Sequence, residues 1–176
     1  MSNDVKGTHP EMEAVAQKVI ESSEQLAKTL PVLGNVLFLY MQSNVHKHFF
    51  VSDIESRALP ALMRKQCKLF VQSNANALPM AFVSWAFLSE QAEEAFVATQ
   101  KIAPKDWDSG NNLWIVDVLT PFGGTSKVFQ ELNEKIFKGR DIHILYPDKF
   151  GKTTKRSLQE IIQSGTSEPE GSKSIN

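Results

Sequence analysis

Leu33 to Met41 reads LGNVLFLYM, and this almost wholly apolar run stops abruptly at QSNVHKH, the polar stretch that contains His46. A segment that apolar has to sit in a core, because leaving it in water costs roughly 25 cal/mol for each Å² of apolar surface. Its polar end must therefore emerge at a fixed place on the fold. Ser43 and His46 stand three positions apart, the spacing that puts two side chains on one face of a helix. A hydroxyl is thereby set beside a base.

With 176 residues the chain fits one domain, and its 41% hydrophobic and 22% charged residues are ordinary for a globular protein with a sizeable core. Lys and Arg total 19 against 20 Asp and Glu. That balance excludes a globally basic surface, so neither nucleic acid nor stable membrane insertion is expected. Cys67 is the one cysteine, which excludes an internal disulfide and a cysteine-based zinc site and fits a reducing compartment. The first residues, MSNDVKGTHPEMEAV, lack the basic and apolar regions of a secretory signal, and the longest apolar run is far too short to span a bilayer. A cytoplasmic location follows as the expectation.

Along the chain, Thr8, Pro10 and Glu11 resemble a helix start. Met12, Val15, Val19, Leu26 and Leu30 then recur at helical spacing, predicting an amphipathic helix that Pro31 ends. Residues 1–31 thus read as an N-terminal extension, 32–164 as the main domain, and 165–176 as a disordered polar tail. A second helix is expected over Ser52–Gln66 with a kink or break at Pro60, followed by a hairpin of strands near Lys68–Gln72 and Ala81–Phe87 about the turn NANA. Further expectations are a helix over Ser89–Gln100, a strand over Leu113–Leu119, a helix over Ser126–Phe137, a strand over Asp141–Tyr146 and a helix over Lys155–Gln163. Helices first, then strands joined by hairpin and helix, predict an α+β fold with a mixed sheet.

Two places carry chemistry. His46 suits a general base, since imidazole titrates near neutral pH, or it is a polar residue ending a helix, where the dipole favours histidine. The strand LWIVDVL holds one acid, Asp117. A lone carboxylate there costs several kcal/mol (roughly, from transfer data) unless it is paired. It either orients an imidazole or is satisfied by loop amides or an arginine such as Arg57. His9, His48 and His143 lack metal-ligand spacing, and neither PFGG nor FGKTTK matches a phosphate-binding loop.

Four segments in this order, LGNVLFLYMQSNVHKHF, ALPALMRKQ, PMAFVSWAFLSEQAE and DWDSGNNLWIVDVLTPFGG, resemble the RTX toxin-activating lysine acyltransferases, the haemolysin-activator family. The resemblance covers roughly Val32 to Gly124. It implies a Gcn5-type N-acetyltransferase-like fold, a mixed β-sheet flanked by helices, and a possible homodimer. The implied activity is transfer of a fatty acyl chain from acyl-acyl carrier protein to internal lysines of an RTX protoxin, with no other cofactor and no metal. The family's essential histidine, in a Ser-x-x-His motif, matches Ser43 and His46; its aspartate, in an apolar strand before Pro-Phe, matches Asp117. His46 would then act as base, Asp117 would fix the imidazole, and Ser43 would support it. Cys67 stands where many members carry Tyr, Arg57 where they often have Asn, and Val83 where they often have Cys. Phe38, Phe82 and Trp85 are candidates for an acyl groove, against a stronger reading as plain core, and Lys47, Arg64 and Lys65 for meeting an acidic carrier protein. The same Ser43, His46 and Asp117 also suit an acyl-thioester hydrolase, and the apolar surface a non-catalytic protoxin-binding chaperone.

Overall fold

The apolar run from Leu33 is the inner half of one long helix. In the computed structural model, which describes residues 10–73, 77–147 and 152–165, α1 covers Pro10–Gln42 without interruption. Pro31 does not end it, contrary to the sequence expectation. A proline inside a helix costs about 3 kcal/mol through a lost hydrogen bond and a ring clash. Val36, Leu39 and Tyr40 beyond it are buried against α2 and the sheet. Burying a large apolar side chain is worth about 1.5–3 kcal/mol, so three of them outweigh the proline. The same holds for α2, Val51–Arg64, which runs through Pro60 and buries Ala58, Ala61 and Leu62. Its start is fixed by Asp53, whose carboxylate accepts the Phe50 backbone N–H at 2.8 Å, an acid where the helix dipole favours one.

Five strands follow: β1 Cys67–Val71, β2 Pro79–Leu88, β3 Asn112–Leu119, β4 Ile142–Pro147 and β5 Thr153–Ser157. They form one sheet in the order β1-β2-β3-β4-β5. Only β3 and β4 run parallel among these neighbours. The β1–β2 hairpin is as expected, although most of its turn lies outside the described residues. So do Thr8, His9 and the tail from 166 on. β5 is a strand where the sequence suggested the start of the last helix; α5 begins only at Leu158. TTKRS is polar because it is an edge, where charged side chains discourage further pairing. The helix expected to end near Phe137 is α4, Thr125–Glu131, continued by a wider π-type turn over Leu132–Ile136.

Helices cover both faces of the sheet. Leu113, Ile115, Val83, Trp85, Ile142 and Ile144 pack with α4 and α5. On the other face Phe82 and Leu119 meet α1 and α2, while Ala86, Leu88 and Trp114 meet α3, Glu90–Thr99. This is the α+β, mixed-sheet architecture expected from the sequence.

One irregularity decides where the site lies. Ser84 faces Asp117 across the β2–β3 ladder and Trp85 faces Ile115, so Val116 is an extra residue. A bulge of this kind re-aims the side chains beyond it. Strict alternation would put residue 117 on the side of Ile115, towards α4 and α5. The bulge turns it to the α1–α2 face instead.

Candidate active site

Where α1 ends, the chain tightens into a turn. The Ser43 N–H donates to Leu39 O at 3.1 Å, and Ser43 O accepts from the N–H groups of His46 at 3.2 Å and Lys47 at 2.9 Å. Ser43 and His46 therefore meet in the turn beyond the helix, not along its face as their spacing suggested. The result is the expected pairing: Ser43 Oγ lies 2.7 Å from His46 Nδ1. Ser43 is buried and His46 half-buried. Among the described residues no side chain hydrogen-bonds Nε2, the other ring nitrogen.

Asp117 reaches the same place from β3 but does not touch the imidazole. Its carboxylate accepts from Arg57 Nη2 at 2.8 Å and Nε at 3.2 and 3.3 Å, and from the Tyr40 hydroxyl at 2.6 Å. Of the two readings left open by the sequence, a buried acid satisfied by Arg57 is the geometry found. Between this carboxylate and the imidazole, which the resemblance implies Asp117 would fix, stands the ring of Tyr40. Tyr40 stands edge-on to His46, with centroids 5.6 Å apart and planes at 80°. Phe49 also packs on His46, at 5.1 Å, and lies beneath the Arg57 guanidinium, 5.3 Å from its centroid. Tyr40 and Phe49 are site residues that the sequence reading missed. A hydroxyl inside an apolar run was the available signal, since a buried Tyr O–H requires a partner.

Charge follows from these contacts. Burial disfavours ionising the Tyr40 phenol, and Asp117 beside it pushes in the same direction, so the hydroxyl stays a donor. Burial works against the Arg57 charge too, but Asp117 outweighs it and the net effect is upward. For His46 burial is the largest influence and lowers its pKa; Asp117 pulls it up and Arg57 pushes it down. The imidazole is thus kept neutral, and ready to accept a proton, at pH values below its ordinary range.

Linkage gives that shift a sign. An unfolded histidine takes up its proton near pH 6.5, before the folded one does. The folded state therefore loses stability as pH falls through that value towards the lower folded pKa. Between pH 7 and pH 5 the wild type is expected to lose more stability in urea unfolding than His46→Gln, which lacks this component. An equal or greater loss in the variant would contradict the burial of the imidazole.

Other candidates separate. Phe82 and Trp85 sit on opposite faces of the sheet, Trp85 against Phe137 at 5.0 Å, so they are plain core and no shared groove. Phe38 packs on Phe122 at 6.3 Å. Burial pushes the Cys67 thiol up to about 11, leaving it protonated and inert. His143 packs on Trp114 and lies 3.6 Å from Asp141. Lys47 donates to Asn44 and Arg64 to the Pro104 carbonyl.

An α+β fold thus carries a serine-linked imidazole at the end of a core helix, with a buried, arginine-paired acid nearby. The chain matches the RTX toxin acyltransferase family over residues 25–160 and belongs to that family. It is 32% identical over 113 residues to the lysine-acyltransferase RtxC of Vibrio cholerae serotype O1, covering 64% of this chain and 72% of that protein. With the RTX-II toxin-activating lysine-acyltransferase ApxIIC of Actinobacillus pleuropneumoniae the identity is 32% over 121 residues, 67% of this chain and 73% of the relative. With the protein-lysine myristoyltransferase HlyC of Escherichia coli it is 31% over 109 residues, 61% of each chain. The resemblance drawn from the sequence motifs is thereby confirmed.

Proposed function

We propose that this chain is a protein-lysine fatty acyltransferase that activates an RTX protoxin in the cytoplasm, with acyl-acyl carrier protein as donor. The observation that carries this reading, within the family, is His46: Nδ1 held by Ser43 and Nε2 without a protein partner among the described residues. The acceptor sets the chemical problem, because a lysine amine of pKa about 10.4 is almost wholly protonated at neutral pH and cannot attack a thioester. A base must take that proton.

The tautomer assigns the roles. For Nε2 to accept a proton, Nδ1 must carry the hydrogen and donate it to Ser43 Oγ. Ser43 then orients the ring. Lysine gives a proton to Nε2, its nitrogen attacks the thioester carbonyl, the C–N bond forms and the C–S bond breaks, the imidazolium returns that proton to the departing thiolate, and the freed Nε2 takes the second proton from the new amide nitrogen and releases it to solvent. In the opposite tautomer Ser43 donates to Nδ1, the geometry of a serine nucleophile and thus of the hydrolase reading. Burial of Ser43 weighs against it, since a nucleophile must reach the acyl carbon.

Three further parts of the reading have their own support. A Gcn5-type N-acetyltransferase-like arrangement is supported by the parting of the two parallel strands. β3 and β4 pair only over Leu113–Ile115, after which β3 bulges and stays with β2 while β4 continues with β5. Solubility is compatible with the described residues, among which no helix is long and apolar enough to cross a membrane. A homodimer is supported by α1, where Met12, Val15, Val19 and Leu26 are exposed at alternating three- and four-residue or seven-residue steps, the seam of a paired helix. A second copy is the occupant this spacing fits. Sedimentation is expected to give a dimer for the wild type and a monomer for Val15→Glu/Val19→Glu; an unchanged mass would remove this interface.

The test is co-expression with the cognate RTX protoxin and intact-mass measurement. Fatty acyl increments on protoxin lysines are expected, and unmodified but bound protoxin would favour a chaperone instead. Labelled acyl-acyl carrier protein incubated alone is expected to release little free fatty acid; rapid release would favour the hydrolase.

A further inference from the structure

The base is held by something other than its own hydrogen bond to Ser43. Five side chains from α1, the following turn, α2 and β3 close a circuit. Arg57 pairs with Asp117, Asp117 accepts from Tyr40, and Tyr40 stands edge-on to His46. His46 meets Phe49, and Phe49 lies under Arg57. Within this circuit only Tyr40 touches both the carboxylate and the imidazole.

We propose that Tyr40 is the positioning residue of this site: anchored at its hydroxyl by Asp117, its ring fixes the orientation of the His46 imidazole. The inference rests on the reading of His46 as the base and adds how the acid reaches it.

The physical argument is one of degrees of freedom. Helix α1 fixes the Tyr40 backbone, and packing with Val36, Leu39 and Phe82 fixes the start of its side chain. What remains is a swing of the ring's long axis, whereas rotation about the second torsion leaves the hydroxyl in place and is limited by packing alone. The 2.6 Å bond to Asp117 at the far end removes that swing. Asp117 is itself pinned by the fork of Arg57 at 2.8 Å and by the strand beneath it. A guanidinium meeting a carboxylate at two nitrogens sets direction as well as distance. With its long axis held, the Tyr40 ring keeps its edge-on contact with the imidazole, and that contact favours one orientation of the imidazole over its alternatives. Orientation and tautomer are thereby coupled: the Ser43 bond at Nδ1 needs the imidazole turned towards Ser43 Oγ, and the Tyr40 contact holds it there. Arg57 has a second part in this: it balances the carboxylate, so His46 does not face an uncompensated negative charge.

The test compares Tyr40→Phe, which keeps the ring and removes the anchor, with Tyr40→Leu, which removes both. Small misplacements of a catalytic group cost up to ~10²-fold in rate. Acyl transfer to protoxin is expected to fall about tenfold in kcat for Tyr40→Phe and about a hundredfold for Tyr40→Leu, with KM for both substrates within about twofold. Phe129→Leu, equally buried but in the core on the opposite face of the sheet, serves as the packing control and is expected to lose stability while keeping kcat. Nitrogen-15 spectra of His46 provide a readout that a packing role would not move. They should show one tautomer, protonated at Nδ1, in the wild type and a mixture in Tyr40→Phe. Wild-type kcat and an unchanged tautomer in Tyr40→Phe would overturn the proposal, and this variant decides if Tyr40→Leu does not fold. His46→Ala run in parallel separates the two claims. If it is inactive while Tyr40→Phe is unaffected, only the positioning role falls; if it is active, the base reading falls first.

Discussion

Asp117→Ala is expected to destabilise the fold by about 3–5 kcal/mol, the cost typical of leaving one member of a buried ion pair alone. Two groups lose their partner at once. Arg57, with its side chain 27% exposed against 1% for Asp117, keeps only partial access to water. The Tyr40 hydroxyl is buried with its one acceptor gone, which by itself costs about 1–3 kcal/mol. At this chain length a loss of that size lowers Tm by roughly 6–20 °C. Asp117→Asn, which retains an acceptor for Tyr40 but no charge for Arg57, should fall between the wild type and Asp117→Ala. The double variant Asp117→Ala/Arg57→Met removes the uncompensated charge and is expected to recover part of the loss, since apolar replacements of ion pairs are often well tolerated. Chemical unfolding measures all of these. A cost below about 1 kcal/mol for Asp117→Ala would mean that the Arg57–Asp117–Tyr40 cluster does not hold α1, α2 and β3 together.

The helices and the central strands were legible because their hydrophobic pattern agrees with where they pack. The helix over Ser89–Gln100 and the strand over Leu113–Leu119 are both present, the former capped by Ser89, whose hydroxyl accepts from the Ala92 N–H at 3.2 Å. Ser43 and His46 were legible because three residues of separation bring side chains together in a helical turn as well as along a helix. Three features were not. Pro31 and Pro60 read locally as breaks, and only the burial of distant partners shows why the helices continue through them. Strand β5 has no apolar alternation, because it lies at the sheet edge. The bulge at Val116 leaves no mark in LWIVDVL, yet it turns Asp117 towards α1 and α2. Without it no reading of the sequence could say whether that acid meets His46, Arg57 or the opposite core. The partnership of Asp117 with Tyr40 and Arg57 depends on three segments far apart in the chain, and pairing across such distances is a property of the fold alone.

His46→Ala removes the group proposed above as the base. General base catalysis contributes about 10²–10⁴-fold, so transfer to protoxin is expected to fall by that factor. Stability should change little above pH 7, because the half-exposed ring is not part of the ion pair. Loss of transfer with fold retained separates a chemical role from a structural one. A variant with the hydroxyl removed, Ser43→Ala, should lose less, about tenfold, since it frees the tautomer without deleting the base. The most direct measurement is a single-turnover assay in which saturating acyl-acyl carrier protein and enzyme act on protoxin, with lysine acylation followed by mass. His46→Ala is expected to react at least a hundredfold more slowly than wild type at pH 7.5, at about the lower bound for base catalysis. A rate within about twofold of wild type would contradict the assignment of His46 as the base.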